Sequence, residues 1–333
     1  MKKGSTLFFE KRPVFIGWAA VGGKKEGEGP LGGQMDEIFE DTTMQTECWE
    51  KAETLYQKKC CEKLFSKTGS KAADVDYMFA GDLQAQCTAS AYHARGLDIQ
   101  YLGQYGACST MAQSLGLAAA FCAAGFADKA MAVSSSHFCA AERQFRTPLD
   151  YGGQRTPTAQ WTVTGAGACL LSRAGKGPKV QAVTFGRVKD YGVKDVNNMG
   201  AAMAPAAADT LLRYFKDSGT SPADFDAVYT GDLGAVGSKL LAELLADEGV
   251  KLENHLDCGL MIYDRETQPE VIAGGSGAGC SAAVLAADVL PKLSKGKLHR
   301  VLFMSTGALM SQVTVLQQES IPTIAHVAEL TDE

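Results

Sequence analysis

The chain repeats itself. Residues 73–85, ADVDYMFAGDLQA, align without gaps to residues 223–235, ADFDAVYTGDLGA, and seven of the thirteen positions coincide. GACSTMAQSLG (106–116) then matches AGCSAAVLAAD (278–288), with Cys108 opposite Cys280, and KAMAVSSS (129–136) matches RVLFMSTG (300–307). The offset is 150 for the first pair and 172 and 171 for the next two, so the second copy carries a longer loop. A duplication constrains the fold more than composition does, because both copies must form the same supersecondary unit and stack.

Each copy reads as a strand, a long irregular insertion, a helix, a strand ending in Gly-Asp-Leu, a helix headed by cysteine, and a further strand. PVFIGWAAV opens the first copy and PKVQAVTFGRV the second. Continuous apolar strands alternating with helices argue for α/β architecture with buried, mixed sheets. The Ala-rich segments 109–125 and 281–290 are expected as a pair of helices buried between two sheets, their small residues allowing close backbone approach. SRAGKGPK (172–179) is a Gly/Pro/Lys-rich junction, which sets the expected halves at 1–174 and 178–333.

Charge and cysteine usage close several branches. Lys and Arg number 32 against 38 Asp and Glu, a net charge of −6 with no basic block, which argues against nucleic-acid binding. The ten cysteines show neither a C-x-x-C pair nor zinc spacing, which favours a reducing compartment. Cys60 and Cys61 fall on a helical pattern with Trp49, Ala52, Tyr56 and Leu64 and read as packing or exposed thiols. Glu10, Lys11, Arg12 and Pro13 interrupt any signal-like run at the start, so VFIGWAAVGG is expected as a core strand. The uncharged run 109–127 contains Ser109, Thr110, Gln113 and Ser114, and is expected as a packed central helix, not a membrane span. GEGPLG (27–32) fits G-x-G-x-x-G but contains Pro30, and the next strand is too distant for a βαβ nucleotide unit.

Ligands of α/β units gather where strand C-termini converge. The duplication brings four such points together: Gly81-Asp82, Gly231-Asp232, the helix headed by Cys108, and the strand that ends at His137. A cysteine at a helix N-terminus is expected to have a lowered pKa. Cys280, its counterpart, serves equally as thiol or packing. His137 is the one histidine expected at the cleft; His93, His255, His299 and His326 read as surface or packing residues.

This arrangement resembles the thiolase and ketoacyl synthase superfamily, with WTVTGAGACLLSR (161–173) similar to the Gly-rich strand pair closing its first half. More specifically, FFEKRPVFIGWAAVGGKKEGEGPLG, GACSTMAQSLGLAAAF and YGGQRTPTAQWTVTGAGACLLSR look like the stage V sporulation protein AD family, across essentially the whole chain. The resemblance implies a layered αβαβα fold of two duplicated halves around central helices, and suggests a homodimer. Condensing enzymes of the superfamily pair the cysteine with a His and an Asn of the second half. Here Gly231-Asp232 stand where the His is expected and Gly279-Cys280 where the Asn is expected, so no catalytic residues are assigned. A cysteine lacking an oriented base loses most of its rate enhancement.

Instead of catalysis, the resemblance implies the binding of dipicolinic acid, expected as its calcium chelate, for uptake into the developing spore. The protein would act as a peripheral partner of membrane proteins at the spore inner membrane, with no resident cofactor. A planar dianion calls for N–H groups, guanidinium or imidazolium and a flat apolar wall. The candidate contacts are Cys108, Asp82, Asp232 and His137, followed by Arg143 and Arg146, with Arg155 and Tyr151 in the same stretch. Two carboxylates oppose a bare dianion, by about 1 kcal/mol per charge pair at 4 Å in water and several-fold more in a cleft. Either Ca²⁺ sits between them, or one Asp orients a donor, or each caps the helix that follows it; Asp82 ranks above Asp232 as a ligand contact. The rivals are an acyl transferase using Cys108 with His137 as substitute base, and a scaffold subunit of the membrane complex that binds no small molecule.

Overall fold

A computed structural model describes residues 1–145 and 155–332. The first block of the sheet comprises β1 (Val14–Gly23), β2 (Tyr77–Gly81), β3 (Gln100–Gly103), β4 (Lys129–Ser136) and β5 (Gly165–Ser172), in the spatial order β1-β5-β4-β2-β3. The second comprises β6 (Lys179–Thr184), β7 (Ala227–Thr230), β8 (His255–Asp257), β9 (Arg300–Ala308) and β10 (Thr323–Thr331), in the matching order β6-β10-β9-β7-β8. Directions match as well. β5 and β10 run antiparallel to both neighbours, while β4-β2-β3 and β9-β7-β8 are parallel. The blocks join where Val14 of β1 meets Lys179 of β6.

The helices used below are α1 (Trp49–Thr68), α2 (Thr88–Ala94), α3 (Thr110–Ala124), α4 (Phe138–Phe145), α5 (Met199–Ser218), α6 (Gly234–Asp247) and α7 (Ala278–Val284). Side chains alternate along a strand, and here both faces are covered. In β4, Met131 and Val133 pack beneath α1 with Tyr56, Cys60 and Leu64, whereas Ala130 and Ala132 face the central layer. In β9, Leu302 and Met304 pack beneath α5 and Val301 and Phe303 face the centre. This double burial is why the strands read as unbroken apolar runs. Cys60 and Cys61 prove to be buried packing residues.

The central layer consists of α3 and α7, whose Ala112, Leu115, Ala119, Ala282 and Ala283 share one core. The segment Ala107–Ala124 is long and apolar enough to cross a membrane, but 67% of it is buried inside the protein. α7 continues through a π-turn, Leu285–Val289, into Leu290–Ser294. The longer connection in the second copy is only partly loop: α6 has 14 residues where α2 has 7, and residues 258–277 supply the rest. The segments 161–162 and 165–172 do not pair with each other; Trp161–Thr162 pairs in parallel with Gly275–Ser276 of the other half.

Candidate functional site

Cys108 lies two residues before α3, on a turn fastened by its own polar groups. The Gly106 N–H donates to Thr110 Oγ1 (3.1 Å), Thr110 Oγ1 donates to the Ala107 carbonyl (2.6 Å) and Ser109 Oγ to the Gly106 carbonyl (2.7 Å). Ala107 adopts φ +49°, a left-handed conformation that costs a non-glycine residue roughly 1–2 kcal/mol. The surrounding bonds hold it there and aim the next residue, Cys108. Behind the turn passes β9, where a Cβ on Gly307 would stand 2.1 Å from the Gly106 carbonyl oxygen. Only glycine allows that approach.

The helix-start position does not lower the Cys108 pKa. Burial raises it well above the usual thiol range, and the neighbouring Asp232 carboxylate adds to the effect. The two groups are close enough for each to shift the other's titration. Asp232 Oδ1 also accepts from Thr306 Oγ1 (2.7 Å) and Oδ2 from the Gly277 N–H (3.2 Å). Burial pushes the Asp232 pKa up to about 7. The expected thiolate is thus replaced by a protonated thiol over a half-neutralised acid.

The two Gly-Asp-Leu motifs behave differently. Asp82 Oδ1 accepts from the Gln84 N–H (2.9 Å), and Oδ2 accepts from the N–H and hydroxyl of Ser90 (2.8 and 2.6 Å), in the first turn of α2. Asp82 caps its helix, is fully buried and does not line the Cys108 pocket. Asp232 does not cap α6, because Asp257 takes that place. Asp257 accepts from the N–H groups of Leu233 (2.9 Å) and Gly234 (3.0 Å) and from Thr230 Oγ1 (2.6 Å). Asp232 is therefore free to face the cysteine of the other half. Neither aspartate lines the Cys108 pocket, and of the two it is Asp232 that adjoins the cysteine.

Cys108 opens onto a pocket of about 530 Å³, counting its mouth. Leu83, Phe145, Val196, Met199 and Met310 form apolar walls drawn from both halves, and Thr162, Ser276 and Glu142 add polar points. Among the described residues, Glu142 is the one charged side chain lining it.

His137 is not among these residues. Its Nε2 donates to the Thr42 carbonyl (2.9 Å), so that nitrogen carries the proton, and burial lowers its pKa and keeps the ring neutral. It lines a separate cleft with Thr42, Phe138, Trp161 and Thr164. Its place in that cleft removes the substitute base on which the acyl-transferase rival depends. Arg143 is exposed, paired with Glu50 and lying over Trp49. Arg155 approaches the pocket wall through Glu142 (3.5 Å) and donates to the Gln160 carbonyl (2.6 Å). Arg146 and Tyr151 lie outside the described residues. Cys280 is buried, its thiol 3.6 Å from the Gly231 carbonyl. Among the described residues no histidine lines the Cys108 pocket.

Sequence reasoning missed Asp257, Thr306, Ser276 and Glu142. A signal existed for Thr306: the repeat aligns it with Ser135, which likewise bonds a buried carboxylate, Glu53 (2.9 Å). No comparable signal marks Asp257, which lies in the stretch where the two copies differ most in length.

Comparison with known proteins fits this geometry. A family model described as stage V sporulation protein AD matches residues 3–331. Stage V sporulation protein AD of Bacillus subtilis strain 168 is 41% identical over 325 residues, covering 97% of this chain and 96% of that protein. Among solved structures, 3-oxoacyl-[acyl-carrier-protein] synthase III from Aquifex aeolicus VF5 superposes with a TM-score of 0.59 at 11% identity, covering 96% of this chain and 99% of its own. Xanthomonas campestris OleA bound to cerulenin gives a TM-score of 0.64 at 11% identity, covering 98% and 100%. At such identities the structural likeness speaks to fold alone, and the fold is thiolase-like, of the ketoacyl synthase III kind.

Proposed function

Because the chain belongs to the stage V sporulation protein AD family, we propose that this sporulation protein is a binder built on a thiolase-like scaffold. It holds dipicolinic acid, as the calcium chelate, in the Cys108 pocket and serves uptake of that ligand into the developing spore. It does so as a peripheral partner of membrane proteins.

The observation that carries this reading is the pairing of Cys108 with Asp232. A thiol whose second-half neighbour is a carboxylate stays protonated at neutral pH, so nucleophilic attack is disfavoured. The same groups suit binding. Leu83, Phe145 and Met199 offer flat apolar contact to a pyridine ring, and Thr162 and Ser276 offer donors to its carboxylates. A bare dianion is disfavoured beside Glu142 and Asp232, whereas a 1:1 chelate with Ca²⁺ is neutral. Among the described residues no group of three or more His, Cys, Asp or Glu side chains forms a metal cluster, so the ligand's two carboxylate oxygens and ring nitrogen, completed by water, would form the calcium's shell.

Calorimetric titration of the purified protein with dipicolinate, with and without Ca²⁺, tests the reading. Saturable heat, stronger with Ca²⁺, is expected. No binding up to millimolar ligand would leave the scaffold role standing. Incubation with acyl-CoA donors should give no Cys108 adduct by intact mass; an adduct lost in Cys108→Ala would instead establish acyl transfer.

A further inference from the structure

One face of the central helix α3 remains uncovered. Near its C-terminal end, Ala120, Ala123 and Ala124 form the wall of a groove of about 970 Å³, counting its open side. The opposite wall is the hairpin formed by Lys2–Lys3 and Thr6–Phe8, which contributes Leu7 and Phe8. Phe126, just past the end of α3, is 69% exposed, one of the most exposed large apolar side chains among the described residues.

The rim is basic. Lys2 and Lys11 line the groove. Both are exposed, and neither forms an ion pair among the described residues, whereas most other lysines of the first half do. Glu10 is the single acid at the groove.

We propose that this groove is a docking site for an acidic amphipathic segment of a partner protein. Its apolar face would pack on Ala120, Ala123, Ala124 and Phe126, and its carboxylates would meet Lys2 and Lys11. The alanines, at i, i+3 and i+4, let a second backbone approach closely. Two facts favour a polypeptide segment over an anionic bilayer. The site is concave, and the chain as a whole carries a net charge of −6, which a broad anionic surface would feel and a single inserted segment would largely escape. The inference gives chemical form to the partner in the function proposed above and does not depend on what the Cys108 pocket binds, so calorimetry and the experiment below fail separately.

The probe is a fluorescein-labelled 18-residue amphipathic peptide with leucines on one face and glutamates on the other; a control has every glutamate replaced by lysine. Fluorescence anisotropy should show saturable binding of the glutamate peptide to the full chain and none of the lysine peptide. The double variant Lys2→Glu, Lys11→Glu and the groove-filling Ala124→Trp should each weaken binding at least tenfold. Both change exposed residues, and circular dichroism melting checks that they fold. Absence of saturable binding to 1 mM peptide, or binding indifferent to both variants, overturns the proposal. Sedimentation with vesicles of 30% phosphatidylglycerol in phosphatidylcholine, abolished by the lysine variant, would assign the face to lipid and overturn it as well.

Discussion

The Asp232 carboxylate lies beside the Cys108 thiol across the boundary between the two sequence repeats and raises its pKa. The effect is one-sided. Asp232 makes loss of the thiol proton harder, while the neighbouring thiol, with Thr306 and the Gly277 N–H, only partly offsets the burial that raises Asp232.

Cys108 should therefore react slowly with alkylating agents. At pH 8, iodoacetamide should label half-buried Cys48 and Cys139 well before Cys108, as read by peptide mass mapping. Asp232→Asn removes the negative charge beside the sulfur and should speed Cys108 labelling several-fold. An unchanged or slower rate would contradict the assigned cause.

Stability should fall as pH rises through the Asp232 titration. The folded state keeps its proton to about pH 7, whereas the unfolded chain loses it near 3.8. Between these values the folded state binds more protons, so raising the pH favours unfolding; titrating alone, the group would account for on the order of 4 kcal/mol. Glu53, pushed up to about 8 by burial and by Asp82, acts in the same direction from about 4.5 upward. Urea unfolding at pH 5 and pH 8 should show a smaller difference in Asp232→Asn than in the parent.

Asp82 and Asp257 should behave as caps. Asp82→Ala and Asp257→Ala should each lower stability by about 1–3 kcal/mol, since each strands backbone N–H groups at a helix start. Asp82→Ala should leave dipicolinate affinity within about twofold, measured by calorimetry on the folded fraction. A large loss of affinity would return Asp82 to the ligand site.

Gly307→Ala tests the turn that carries Cys108. A methyl 2.1 Å from the Gly106 carbonyl must displace the turn or the strand, at a cost of about 1–3 kcal/mol. Ligand affinity should fall at least tenfold in the folded protein, whereas Gly33→Ala, with open space around its Cβ, should change neither quantity.

The duplicated units, the strands buried on both faces, the two Ala-rich central helices and the place of Cys108 ahead of one of them were all legible in the residues. They follow from local periodicity and from matching residues at matching places in the two repeats. Which groups meet at the cysteine depends on contacts between distant parts of the chain. Asp82 and Asp232 stand in near-identical motifs, yet a carboxylate goes where N–H groups most need it. In the first repeat Asp82 answers the start of α2. In the second, Asp257 at the end of β8 answers the start of α6 and releases Asp232 toward Cys108. His137 was misplaced for a related reason: a strand end gives the position of a residue, but the Thr42 carbonyl, 95 positions away in the chain, fixes the direction of the ring. Long-range hydrogen bonds of this kind have no period and leave no trace in the neighbouring residues.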